Sequence, residues 1–383
     1  MEEPLMGERL NLPVLAETLA ADNGSLIGVL TLNAEKTLNA LSLSMVDLLS
    51  AQLAAWADDE RIAMVLLQGA GEKAFCAGGD LHQLYSTMVD QRASGQAGDV
   101  LANDYANTFF AREYTLDYRI HTYPKPILCW GHGIVMGGGI GLMAGASYRV
   151  ATEKTRLAMP ETGIGLFPDV GGSWFLSRMP GGLGRFLALT GASINAADAR
   201  YVGLADRVLA HADQPQVLAA LRRQPWNGDR AHNHALLGAV LRATEEAGSS
   251  ACAQGPLRQH RDLIDQLCGR ESLEAVLAAF AGVHSDEPWL VKALAAVTRA
   301  APGSLALTWR LQERAPRLSL AEVFRMEYGA ALHCCAHGDF AEGIRALLID
   351  KDHSPRWRSA DSTGHFLDTP WPPHAHPLAG LDK

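Results

Sequence analysis

An α/β core followed by a helical region is the fold class predicted for this chain of 383 residues. Three observations lead there. Strand-like and helix-like patterns alternate through residues 26–67. Glycine-bearing turns stand directly after apolar runs, at Gly78 and Gly79 and again at 137–139. Strand-like runs disappear beyond residue 211. The length exceeds what one core comfortably fills, so a core domain is expected over residues 1–211 and a helical region over 212–383.

The first core strand is LIGVLTLN, residues 26–33, rich in β-branched and aliphatic side chains. Ser42 or Ser44 then caps a helix in which Met45, Leu48, Leu49, Leu53 and Trp56 recur at helical spacing. AMVLL, residues 63–67, is a second buried strand closed by Gly69 and Gly71. KAFCAGGDL, residues 73–81, reads as a strand-to-helix loop, with Asp80 capping a helix through Leu84 and Met88. Residues 90–100 are small and polar and make a loop. A helix over 104–122 carries Phe109, Phe110, Glu113, Tyr114 and Tyr118 until Pro124 and Pro126 stop it, and residues 127–130 begin another strand.

Residues 174–179 and 185–190 are helical, and 193–209 hold an alanine-rich helix and a short strand. Helices are then expected over 217–222, 234–247, 272–281 and 288–299, with a helical block over 319–352 broken at Gly338. The tail 361–383, with its TPWPPHAHPL run, is expected to be irregular and solvated. Its histidines lack the paired spacing of metal ligands, and no metal is expected.

Hydrophobic content of 48% against 20% charged residues is ordinary for a folded protein. A net charge of −9 argues against nucleic acid as the main partner, while an anionic ligand depends on local patches rather than totals. Cys76, Cys129, Cys252, Cys268, Cys334 and Cys335 show no C-x-x-C pair, which suits a reducing, cytoplasmic compartment. Residues 1–13 have neither an apolar run nor an arginine-rich amphipathic stretch, so no targeting segment is expected. The charge-free span 127–148 is long enough to suggest a membrane helix, but its glycines and His132 favour a buried strand, turn and helix, and no membrane partner is expected.

The chemistry concentrates in residues 129–172. Gly137, Gly138 and Gly139 give backbone that can approach a ligand closely with N–H groups exposed to it, as an oxyanion requires. Glu161 and Asp169 stand among apolar, proline- and glycine-rich neighbours (MPETGIGLFPDVGG), where a carboxylate is poorly hydrated and tends to be chemical rather than decorative. Donors for developing negative charge beside two such acids suit reactions at a carbonyl group. A bland alternative for Glu161 is pairing with Arg156 or Arg178, for Asp169 a turn-forming role, and for Glu113 a surface ion pair. Residues 139–144 also fit G-x-G-x-x-A, but three consecutive glycines deep in the chain make a nicotinamide site a poor reading. His132 and Cys76 read as core residues.

The segments KAFCAGGDL, GHGIVMGGGIGL, YRVATEKTRLAMPETGIGLFPDVGG and LALTG, with MEY and DFAEGIRALLIDKDHSPRW later, resemble the crotonase, or enoyl-CoA hydratase/isomerase, superfamily. The likeness runs from about residue 26 to 357, and the PET, FPDVGG and LLIDKD segments are similar to a hydrolase branch. It implies a crotonase-like spiral of ββα units followed by a helical C-terminal region. It also implies a coenzyme A thioester as ligand with no separate cofactor, and often a homo-oligomer. By motif it implies the Gly79 and Gly138 N–H groups as the oxyanion hole, Glu161 and Asp169 as catalytic acids, and Glu113 as a substrate contact. Lys73 is a candidate for the coenzyme's phosphates. Hydratases carry a second catalytic glutamate where this chain has Gly141, and usually glycine at the Asp169 position. Hydrolysis of a short branched 3-hydroxyacyl-CoA, such as 3-hydroxyisobutyryl-CoA, is therefore the expected activity. The alternatives are an enoyl-CoA hydratase or isomerase using Glu161 alone, and a non-catalytic acyl-CoA-binding protein.

Overall fold

The computed structural model describes residues 12–248 and 254–383; Cys252 and residues 1–11 lie outside the described residues. Two compact units are present, each assembled from three stretches of chain.

The first unit comprises residues up to Gly79, Arg119–Leu157 and Ile194–Gly255. Its larger sheet is built from β1 (Val14–Ala20), β2 (Leu26–Leu32), β3 (Ile62–Gly69), β5 (Ile127–Gly131), β7 (Tyr148–Thr152) and β9 (Arg207–Leu209), in that spatial order. Only β1 and β2 pair antiparallel, Val14 opposite Leu32. The others run parallel, with Leu66 beside Leu128 and Trp130 beside Val150. Parallel strands covered on both faces need near-continuous apolar sequence, and the first six residues of β3 and all five of β5 are buried. A smaller sheet holds β4 (Ala74–Cys76), β6 (Ile134–Met136) and β8 (Arg156–Ala158). The successive pairs β3–β4, β5–β6 and β7–β8 each send one strand to the large sheet and the next to the small one. The first two pairs are followed directly by the helices Leu81–Ala93 and Gly138–Ala144, which is the expected ββα repeat. The short β4 occupies part of what the sequence suggests is a loop, and β1, whose side chains are mostly exposed, carries no clear sequence signal.

The sequence-based division near residue 212 marks the end of the last strand, but the compact units are cut differently. Helices Gln214–Arg222 and Arg230–Ala247 pack on the large sheet, where Val217, Leu221, Trp226, Leu237 and Leu241 join Ile27, Met64, Leu128, Trp130 and Val150 in one core. Apolar burial, roughly 25 cal/mol per Å², holds this stretch to the strands whatever its place in the chain. The core reading of His132 holds: its Nε2 lies 2.8 Å from the Gly71 carbonyl and its ring stacks on His211.

The second unit comprises Asp80–Tyr118, Ala158–Ser193 and Pro256–Lys383 and is mainly helical. Asp80 caps the Leu81–Ala93 helix by accepting from the His82 N–H at 3.1 Å. Helix Leu320–Ala336 starts in a reciprocal capping box between Ser319 and Glu322 and ends before Gly338, where the helical block breaks as expected. Its Phe324 ring sits 5.5 Å from that of Tyr114. The tail beyond residue 361 is irregular and mostly exposed, as expected, but it is anchored at a few points: Thr363, Phe366, His376 and Leu378 are buried, and Arg310 donates to the Thr363 and Gly364 carbonyls. Its single apolar residues, spaced among prolines, give no periodicity from which this packing could be read. No single described helix is long and apolar enough to cross a membrane.

Candidate active site

In the first unit two glycine turns run backbone to backbone. After β4 the chain passes through Gly78 at φ +108°, a conformation that a side chain would strain, and a Cβ there would stand 3.5 Å from the Met136 carbonyl. Gly137, at φ 48°, turns the chain into the Gly138–Ala144 helix. A Cβ on Gly139 would overlap the Cys76 carbonyl, so the helix start can lie against the β4 turn only without side chains. The N–H groups of Ile140 and Gly141 donate back to the Gly137 carbonyl at 2.8 and 3.2 Å. Among the described residues the N–H groups of Gly79 and Gly138 make no hydrogen bond, so both are available to an incoming acceptor. Gly141 is buried in this helix and brings no functional group. Lys73 is exposed in the loop before β4.

In the second unit Glu113, Asp117, Glu161, Asp169 and Glu327 are buried carboxyl groups that act on one another. Helix Asp104–His121 supplies Glu113 and Asp117, one turn apart on one face, and each is only 2% exposed. Glu161 opens the tight Glu161–Ile164 turn after Pro160, and Gly165 at φ +80° closes that turn. Asp169 accepts the Tyr114 hydroxyl at 2.7 Å on Oδ2. Its own carbonyl takes the Gly172 N–H at 2.6 Å, so Asp169 forms the turn with its backbone while its side chain meets Tyr114. Val170, next in line, sits at φ 50°, a strained position for a β-branched residue. Glu327, from helix Leu320–Ala336, holds that strained turn by accepting the Gly171 and Ser173 N–H groups at 2.7 and 2.8 Å.

The surface ion-pair reading of Glu113 fails, because the residue is buried beside Asp169. The arginine-pairing reading of Glu161 fails as well. Arg178 lies over the Trp174 ring and donates to the Trp174 and Leu318 carbonyls, and Arg156 donates to the Thr155 carbonyl. Glu161 keeps a buried Oε2 with no partner. Sequence reasoning assigned no role to Tyr114, Asp117 or Glu327. The i, i+4 relation of Glu113 and Asp117 was the available signal for the second of these.

Burial dominates the electrostatics. It pushes Glu113, Asp117 and Glu161 well above the ordinary carboxylate range, and the neighbouring acids push in the same direction. Asp169 is raised only to about 6, since the Tyr114 hydroxyl favours its charged form against burial. Glu327 is raised by burial to about 8, with its N–H donors opposing. Negative charge therefore enters this group first at Asp169.

The Glu327 shift has a consequence for stability. Its folded-state pKa lies above the usual 4.5, so its contribution is fully present below that pH and is lost as pH rises through about 8. Unfolding midpoints should fall from pH 5 to pH 8, and fall less steeply in Glu327→Gln, which keeps one acceptor without a charge. Thermal melts across that range check this; parallel curves for the two proteins would contradict it.

Interleaved ββα repeats, paired glycine turns and buried acids after them belong together in one known class, and the chain is a member of the enoyl-CoA hydratase/isomerase family, whose sequence profile matches residues 27–364. Among curated relatives it is similar to 3-hydroxyisobutyryl-CoA hydrolase, mitochondrial, of Danio rerio, at 40% identity over 352 residues, which cover 89% of this chain and 86% of that one. The Homo sapiens protein of the same name is 35% identical over 346 residues, covering 90% and 85%. Among solved structures, an enoyl-CoA hydratase from Rhodobacter sphaeroides 2.4.1 superposes with a TM-score of 0.77 at 33% identity, over 93% of this chain and 97% of that one. A carnitinyl-CoA dehydratase from Mycobacterium thermoresistibile superposes with a TM-score of 0.79 at 34% identity, over 94% and 98%. The fold is the crotonase spiral that the motifs imply.

Proposed function

We propose that this protein hydrolyses an acyl-CoA thioester, with 3-hydroxyisobutyryl-CoA as substrate and 3-hydroxyisobutyrate and free coenzyme A as products. The observation that carries the reading is the buried carboxyl group set centred on Glu161 and Asp169, found in a chain with bare glycine at position 141. Adding water across an enoyl double bond in this family uses a second glutamate at that glycine, so the hydration machinery is incomplete. The hydrolase names of the curated relatives support the same choice.

In this reading the N–H groups of Gly79 and Gly138 receive the thioester oxygen and stabilise the charge it gains in the tetrahedral intermediate. One donor of this kind is worth ~2.7–4 kcal/mol in the barrier. Glu161 either attacks the thioester carbon, expelling the thiolate of coenzyme A and leaving an anhydride that water cleaves, or removes a proton from the attacking water. Both routes need its carboxylate ionised. Asp169, oriented by Tyr114, accepts the substrate's 3-hydroxyl or assists proton transfer. Glu113 contacts the acyl portion, and Lys73 approaches the coenzyme's phosphates. The coenzyme is part of the substrate, and no separate cofactor is assigned.

The charge of Asp169 is one cause of the raised Glu161 pKa. Asp169→Asn should therefore ionise Glu161 at lower pH and move the acid limb of kcat/KM downward, even as the rate falls. Profiles measured over about pH 5 to 9 check the sign. An unmoved limb would separate Asp169 from Glu161.

A panel of thioesters with thiol detection tests the assignment. Release from 3-hydroxyisobutyryl-CoA should exceed release from isobutyryl-CoA, which lacks the hydroxyl, by about 10-fold or more. Equal rates would remove the hydroxyl contact from the account. Failure of every thioester to release thiol would remove the hydrolase reading itself.

A further inference from the structure

Away from the carboxyl group, helix Leu320–Ala336 and the tail bring three imidazoles together. His333 and His337 stand one turn apart at the end of that helix, and His365 comes from the tail segment packed beside it. One ring nitrogen from each of the three lies within 4.8 Å of the other two. Tetrahedral zinc with Zn–N bonds of about 2.0–2.1 Å needs those nitrogens about 3.3 Å apart. The half-buried His337 and the exposed His365 can rotate to close that gap, whereas His333 is only 6% exposed.

His333 is held as a metal-binding histidine is held. Its Nε2 lies 3.0 Å from the Asp368 carbonyl, which fixes the proton on that nitrogen and leaves Nδ1 with its lone pair. Nδ1 is buried and has no hydrogen-bond partner. Leaving a buried polar atom unsatisfied destabilises the fold, and a coordinated ion removes that cost. Phe366, stacked on His333 with ring centroids 5.5 Å apart, fixes the ring plane. Burial also favours the neutral, ligating form of His333 and His337. The cation facing His337 is Arg358, which is occupied by the His337 carbonyl and lies 3.9 Å from Asp339.

We propose that His333, His337 and His365 bind one divalent transition-metal ion, with zinc the ion that suits three neutral imidazoles and an open fourth position. The ion ties the tail to the helix that carries Glu327, so it acts on stability and not on the reaction. The hydrolase reading is not needed for this site.

The test uses the full chain, stripped with a chelator and then given zinc. One zinc per chain should survive gel filtration, and the unfolding midpoint should rise on zinc addition. Cobalt in its place should give the intense visible absorption of a four-coordinate site. His337→Gln with His365→Gln, at the two more accessible positions, should lose the bound equivalent and the midpoint shift while thioester hydrolysis is unchanged. Wild-type protein that keeps no zinc and shows no midpoint shift would overturn the proposal. So would a double variant that keeps the same equivalent, since the metal would then sit on other histidines; should that variant fail to fold, a six-coordinate cobalt spectrum in wild type decides against the site.

Discussion

Glu161→Gln should lower kcat for thiol release by about 10²–10⁴-fold while the protein stays folded and its melting temperature holds or rises. The substitution preserves shape and removes only the capacity to ionise. That capacity is costly in the resting protein: Glu161 is 6% exposed, its Oε2 has no partner, and burial drives its pKa well above the usual range. A neutral amide relieves that cost, so stability and activity should move in opposite directions. A group that merely supported the turn would lose both together. Turnover measured beside a thermal melt on the same preparation separates the two cases.

Gly343→Ala should be nearly as damaging, by steric means alone. The backbone of Ile164, in the turn that Glu161 opens, lies where a Cβ on Gly343 would go. Across the same contact, Gly165 at φ +80° has no room for a side chain against Asp339. Neither partner is the flexible end of a side chain, so the added methyl must move the Glu161 turn. Overpacking of this kind costs about 1–3 kcal/mol, and a displacement near 1 Å at a reacting group costs about 10²-fold in rate. Gly329→Ala, in helix Leu320–Ala336, is the control, since its Cβ would meet nothing within 4 Å. Rates and melting temperatures of the two variants should diverge; equal values would show that the Gly343 contact does not position Glu161.

How far the site could be read from sequence depended on the kind of signal each residue leaves. Glu161 and Asp169 drew notice because acids among prolines, glycines and large apolar residues are poorly hydrated, but pairing for Glu161 and a turn for Asp169 were ordinary rivals, and only the motif resemblance favoured a chemical role at Asp169. The glycine turns at 78–79 and 137–139 were legible because Gly78 and Gly137 take positive φ and a Cβ on Gly139 would overlap the Cys76 carbonyl, demands that composition records directly. Asp117 and Tyr114 were hidden because they share a helix with Phe109 and Phe110, where a single acid or hydroxyl looks like decoration on a core face. Glu327 was hidden by distance, since the two N–H groups it serves are more than 150 residues earlier. For the fold, long buried strands such as β3 and β5 announced themselves. The three-residue β4 is too short to show a period, and the helices after residue 212 could not reveal from their own pattern that the sheet was what they covered.

The reaction itself is tested most directly by following free thiol and enoyl absorbance together, with 3-hydroxyisobutyryl-CoA and crotonyl-CoA offered in separate reactions. The account predicts thiol released in step with consumption of the hydroxyacyl thioester, and no change in absorbance from the enoyl thioester. Loss of enoyl absorbance without thiol, from the protein that leaves 3-hydroxyisobutyryl-CoA intact, would contradict it.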